Sequence, residues 1–239
     1  MFWAIISPVS AAGLIGGFLI GAGLRVVAHR LISVALGLRG WSVPTRPSPR
    51  EDLDPIGAVS VVLAGVGWGR GVDQAPSPAR RGTGRATEPV LPDRTRRRSD
   101  RGRSALAMLG GPVAAVAAGQ LSLAAYVTAC PTDHTTLLLN RPSDILRGAV
   151  APTLVGELIL SSAVALLVFG LVALLPVPPL DGSRIVRLAL TDRRRSPNRG
   201  LDLAGSVLLL VLAVVPVDGM PPLLTVLDLV GTPMLRLWT

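Results

Sequence analysis

The apolar run from Ala151 to Leu175 constrains this chain most. It holds one ionisable side chain, Glu157, near its start. A helix needs about 20 apolar residues to cross the hydrocarbon of a bilayer, and this run is long enough. It ends at Pro176-Val-Pro-Pro-Leu-Asp181-Gly182. Proline removes backbone donors and stops a helix, and glycine permits a sharp turn. A carboxylate therefore stands on an unwound segment at the end of a membrane helix, where it can face a cavity.

Composition points the same way for the whole chain. Of 239 residues, 49% are hydrophobic and 16% charged, and the mean hydropathy is +0.53. Soluble domains carry about 25% charged residues, so too few polar side chains are present to cover a soluble surface. Disordered chains are poor in apolar residues, which excludes disorder for most of the length. The single Cys130 excludes a disulfide within the chain. The basic residues are all arginine, and the bias toward Arg, Ala, Val, Leu, Gly and Pro suggests a GC-rich bacterial genome. The formal charge of +9 lies mainly between the apolar stretches, the pattern of positive-inside topology rather than of nucleic-acid binding.

The first apolar stretch, 2–38, is broken by Arg25, His29 and Arg30. No basic residue precedes Arg25, so the expectation is a retained membrane helix, not a signal peptide. A Pro-, Ser- and Arg-rich loop at 39–54 follows. The segment 55–68 is apolar but short, which predicts a re-entrant or strongly tilted element. Such backbone is tolerated at membrane depth only when packed in protein or lining a cavity. Residues 70–103 form an Arg/Pro/Gly-rich loop ending in the densest basic run, 94–103. It reads as a topology determinant that touches anionic headgroups. It has no aromatic interleaving for base stacking, so no nucleic-acid partner is expected.

Further spans are predicted at 104–128, rich in the small residues that let membrane helices approach closely, at 201–217, and more weakly at 221–238. Residues 130–147 read as a polar outer loop and 183–190 as a short helix. With the Arg-rich segments at 94–103 and 193–199 both cytoplasmic, residues 104–128 cross outward and 151–175 return. The expected fold is an all-α integral membrane bundle of about five to six transmembrane or re-entrant segments, a single domain over 1–239. Trp68 and Trp238 read as interfacial anchors, Glu157 as a hydrated group near the outer interface, and Cys130 as a free, neutral thiol.

His29 and Asp181 are ionisable groups inside apolar sequence. Charges at membrane depth cost about 2.5 to 3.5 kcal/mol on insertion scales and are functional hypotheses by default. At these residues the chain resembles the site-2 protease family of intramembrane zinc metalloproteases, most closely its compact bacterial branch. The segment 174–183, with Pro178-Pro179-Leu180-Asp181-Gly182, is similar to the family's late motif, whose aspartate is a zinc ligand. Asp54-Pro55-Ile56-Gly57, Gly67-Trp68-Gly69-Arg70 and Gly111-Pro112 resemble further family segments, in the same order, over nearly the whole chain. The resemblance implies a small re-entrant or strand-containing β element after the first helix. It also implies substrate-binding positions at Gly111, Pro112, Pro178 and Pro179, and metal positions at His29 and Asp181.

The departures bear on chemistry. The family's first motif is His-Glu-x-x-His, which places two imidazoles on one helix face to hold zinc beside a glutamate general base. Aligned at His29, Arg30 stands at the glutamate position and Ser33 at the second histidine. Arginine stays protonated and cannot act as base, and serine is a poor zinc ligand. The family's two asparagines fall at Ala115 and Ala173. His134 lies in the polar loop, on the wrong side. The leading expectation is a proteolytically inactive relative, with no catalytic residue intact and no cofactor, which binds or regulates a membrane-protein partner among lipids of a bacterial cytoplasmic membrane. Two alternatives stay open: an active, atypical metalloprotease holding zinc, and a transporter or channel component. His29 also reads as a structural residue. Either a His29–Asp181 or an Arg30–Asp181 pair would ease burial of the carboxylate.

Overall fold

A computed structural model describes residues 7–38, 53–70, 94–148, 151–190 and 199–239. These residues are built from helices: α1 (Pro8–Ala35), α2 (Pro55–Ala64), α3 (Arg94–Ala129), α4 (His134–Leu139), α5 (Pro142–Leu146), α6 (Leu154–Ala173), α7 (Asp181–Leu190), α8 (Arg199–Val214) and α9 (Pro222–Arg236). Much of the expected loop 70–103 and the basic run 193–198 lie outside the described residues. Three helices, Pro8–Ala35, Gly102–Ala129 and Leu154–Ala173, are long and apolar enough to cross a membrane. Helices α8 and α9 form where spans were expected, but with 16 and 15 residues both fall short of a standard crossing.

Local sequence sets the helix starts. Ser7 caps α1, its hydroxyl accepting the Ser10 N–H at 3.2 Å, with Pro8 in the first turn. Thr153 does the same for α6 through the Gly156 N–H at 3.1 Å. Both use an otherwise unpaired donor of the first turn.

The core is a three-helix unit of α1, α3 and α6. Along α1, Ser10 meets Glu157, Gly13 meets Ser161, Gly17 meets Ala165 and Gly21 meets Phe169. Each contact pairs residues at nearly the same sequence offset, so α1 and α6 run parallel. Gly17 makes the approach possible, since a Cβ there would stand 2.6 Å from the Ser162 carbonyl oxygen. Close approach by small residues is how helices gain van der Waals contact where lipid offers no hydrophobic drive. In α3, Gly119 packs on Ala163 and Leu167, Pro112 on Gly170, and Tyr126 on Gly156. These offsets run in opposite senses, so α3 is antiparallel to α6. Leu19, Ile20, Leu31, Val34, Leu121 and Leu154 are exposed, which is the outside expected of a bundle facing lipid.

Helix α2 and the arm that follows it form a hairpin packed against α1. It begins at Asp54 and ends at Gly65, whose φ of +73° gives a left-handed cap. Its tip packs against Leu14 and Leu146. The chain then returns through Gly67 beside Phe18 to Gly69, which bridges back to Leu53, and to Arg70 beside Arg25. Ten residues advance about 15 Å in a helix, half the hydrocarbon thickness of about 30 Å. The two ends of the segment therefore lie side by side, joined by the Leu53–Gly69 bridge. Among the described residues the strand expected here is reduced to the single antiparallel Leu53–Gly69 bridge.

Two expectations are corrected. The outer loop is not simply polar, because α4 and α5 bury Leu137, Ile145 and Leu146. The buried Asp228 accepts both the Ser143 N–H (2.8 Å) and the Ser143 hydroxyl (2.6 Å), tying α5 to α9. Trp68 is fully buried rather than interfacial, because its indole has a polar partner inside. Trp238 is half-buried and donates to Gln120 at 2.8 Å.

The return of α2 predicts a sidedness. In a Cys130→Ser background, Leu38→Cys and Arg103→Cys should label from one face of the membrane and Thr132→Cys from the other. Labelling of Leu38→Cys and Arg103→Cys from opposite faces would mean that residues 55–70 cross completely.

Candidate functional site

The site begins with α1. Arg25, His29 and Ser33 recur every four residues, so they share one face, and all three are buried at 3–4% exposure. Arg30 lies on the exposed side. Of the two pairings considered for Asp181, with His29 or with Arg30, neither is the ion pair that the structure shows.

The partner of Asp181 is Arg25. Its Nε lies 2.7 Å from Oδ2 and its Nη2 donates to Oδ1 at 3.1 Å. Nε sits off the hydrogen-bond line, so that contact is one of charge, and the Nη2 bond supplies direction. A guanidinium presents a planar fork that matches a carboxylate with both oxygens engaged. The same Nη2 donates to the Arg70 carbonyl at 2.5 Å. One side chain thus ties α1 to the exit of the re-entrant segment and to the start of α7. His29 lies within electrostatic reach of both charges but does not replace Arg25 in the pair.

Of the other resemblance-derived positions, Gly111 meets this ion pair and the rest lie elsewhere in the packing. A Cβ on Gly111 would stand 2.6 Å from Arg25 Cγ, so the bare glycine leaves room for the arginine stem. Pro112 is buried beside Gly170. Pro178 and Pro179 are joined by a cis peptide bond, and the Pro178 carbonyl packs on Gly205 of α8. Ala115 and Ala173 are buried core positions. His134 opens α4, in the segment that follows the far end of α3.

A second buried carboxylate supports the first. Asp54 caps α2 through the Ile56 N–H at 3.3 Å, and its Oδ2 accepts Trp68 Nε1 at 2.9 Å and the Ser206 hydroxyl at 2.5 Å. It joins both arms of the re-entrant hairpin to α8. Gly57 is required here, because a Cβ would overlap the Trp68 carbonyl. At the opposite end Glu157 is buried at 4% exposure, not hydrated. It accepts from Ser7 and, at 2.7 Å, from Ser10. Its position in the first turn of α6 suits a negative charge.

The donor set does not fit a catalytic zinc. Such a site needs three ligands and an open position. Asp181 is committed to a guanidinium, Ser33 offers a neutral hydroxyl, and a dication at Asp181 would face the buried Arg25 charge. Among the described residues no three His, Cys, Asp or Glu side chains converge. Sequence reasoning missed Arg25, although its signal was present: an arginine one helical turn before His29 on the same face, in otherwise apolar sequence.

No family model, curated protein or solved structure matches the chain.

The Asp54 node carries a prediction. Asp54→Ala removes acceptors from three donors, and bonds to a buried charge are worth about 1.5–3 kcal/mol each. The midpoint of thermal unfolding in detergent should fall by about 6 °C or more. An unchanged midpoint would show that Asp54 does not hold the hairpin.

Proposed function

We propose that the chain is a site-2-protease-like protein of the bacterial cytoplasmic membrane that has exchanged metal chemistry for an internal ion pair. In this reading it is proteolytically silent and acts by binding or regulating a membrane-protein partner. The observation that carries the proposal is the Arg25–Asp181 pair. The carboxylate that the family resemblance assigns to metal is engaged through both oxygens by a cation from its own chain.

Three features support the reading. Arg30 at the glutamate position cannot take a proton from water. Ser33 at the second histidine position is a weak ligand. Gly111, a position assigned to substrate, makes room for Arg25. The order of the motifs in the sequence and the hairpin after α1 are further support for the reading. In this reading the partner contributes a membrane helix or an extended segment. The Arg-rich segments would face the cytoplasm.

Elemental analysis of detergent-purified protein tests this. Zinc should be well below stoichiometric and unchanged in His29→Ala and Asp181→Ala. A stoichiometric zinc lost in both variants would overturn the reading and favour an atypical active metalloprotease. Proteolysis of a membrane-spanning substrate abolished by Asp181→Ala would do the same.

A further inference from the structure

We infer that α7 lies at the membrane surface as an arginine-bearing amphipathic helix and binds the phosphates of anionic phospholipid headgroups. The inference rests on the membrane reading of the fold and is independent of the pseudoprotease reading.

Helix α7 has a polar and an apolar side. Arg184 and Arg187 are three residues apart and so share a face; Arg187 is exposed and Arg184 half-buried. Ile185, Val186 and Leu188 supply apolar surface, and Val186 is 41% exposed. A helix with arginines on one side and uncovered aliphatic surface on another suits the headgroup boundary, where both are satisfied. Asp181, the one acidic residue of α7, is committed to Arg25.

Charge is distributed to match. Helix α7 packs on α3, whose sequence opens with Arg94, Arg96, Arg97, Arg98, Arg101 and Arg103, against Asp100 alone. Arg193, Arg194, Arg195 and Arg199 follow α7 in the chain, against Asp192. The segment between α3 and α6 is balanced, with Arg141 and Arg147 against Asp133 and Asp144. In the sequence, positive charge is thus concentrated at the start of α3 and in and after α7, and not in the segment between α3 and α6. Guanidinium binds phosphate oxygens with two parallel bonds, and an anionic leaflet attracts basic segments at its surface. Nucleic acid offers the same phosphates, but residues 94–103 and 181–199 contain no aromatic side chain to stack a base.

The test is thermal unfolding of the full chain in detergent with added phosphatidylglycerol, phosphatidylcholine or inorganic phosphate. Phosphatidylglycerol alone should raise the midpoint. Arg187→Gln should remove about 2–4 °C of that shift, and adding Arg184→Gln should remove more, while Arg187→Lys keeps most of it. Arg187 is exposed, so Arg187→Gln should unfold like the parent without lipid, and it decides the matter alone if the double variant fails to fold. Equal shifts with phosphatidylcholine would overturn the inference. So would a shift reproduced by inorganic phosphate, which marks a free-anion site, or one unchanged in Arg187→Gln, which places the lipid effect elsewhere.

Discussion

A charge buried among apolar helices must find its opposite, and the Arg25–Asp181 pair meets that requirement for the centre of this molecule. Either group alone at membrane depth is costly, by about 2.5–3.5 kcal/mol on insertion scales. Together they cancel net charge, and the Arg70 carbonyl takes a further guanidinium hydrogen. The pair fixes relationships that apolar packing leaves loose: the height of the re-entrant hairpin against α1, and the angle at which the chain leaves α6. A buried pair need not add net stability over a well-packed apolar alternative. Its contribution here is registration, since breaking one side leaves the other stranded.

Three other buried carboxylates follow the same logic with neutral partners. Asp54 joins α2, the Trp68 arm and α8. Glu157 joins the starts of α1 and α6, and Asp228 joins α5 to α9. Each stands where two or three elements meet, and hydroxyl, indole or backbone donors satisfy it. Small residues bring α1, α3 and α6 close, and Glu157 ties the starts of α1 and α6. With lipid outside, contact shape and hydrogen bonds carry specificity that water would otherwise supply through the hydrophobic effect.

Much of this was legible in the sequence. Hydropathy and length gave α1, α3 and α6, and the Pro-rich break before Asp181 marked the end of α6. The shortness of 55–68 marked it as re-entrant or tilted, and contacts at Leu14, Leu146 and Arg70 place its turn within the bundle. The identity of the cation opposite Asp181 was not legible. Three candidates lie within one and a half turns of α1, and the choice depends on which face of α1 meets α3 and α7. Trp68 misled for a related reason. An indole in apolar sequence suits a membrane interface equally well, and only the fold reveals that Asp54 waits for its N–H. Leu137, Ile145 and Leu146 were hidden because short helices between polar residues carry little periodic signal.

The Arg25–Asp181 pair is the organising contact of the molecule, and a double-mutant cycle measures that directly. Arg25→Met, Asp181→Leu and the double variant would be compared by thermal unfolding in detergent. Each single change strands a buried charge and should lower stability by about 3–5 kcal/mol. The double change strands none, so it should recover a large part of the loss, short of the parent because Arg70 still loses its donor. Losses that simply add, or single variants as stable as the parent, would contradict that role.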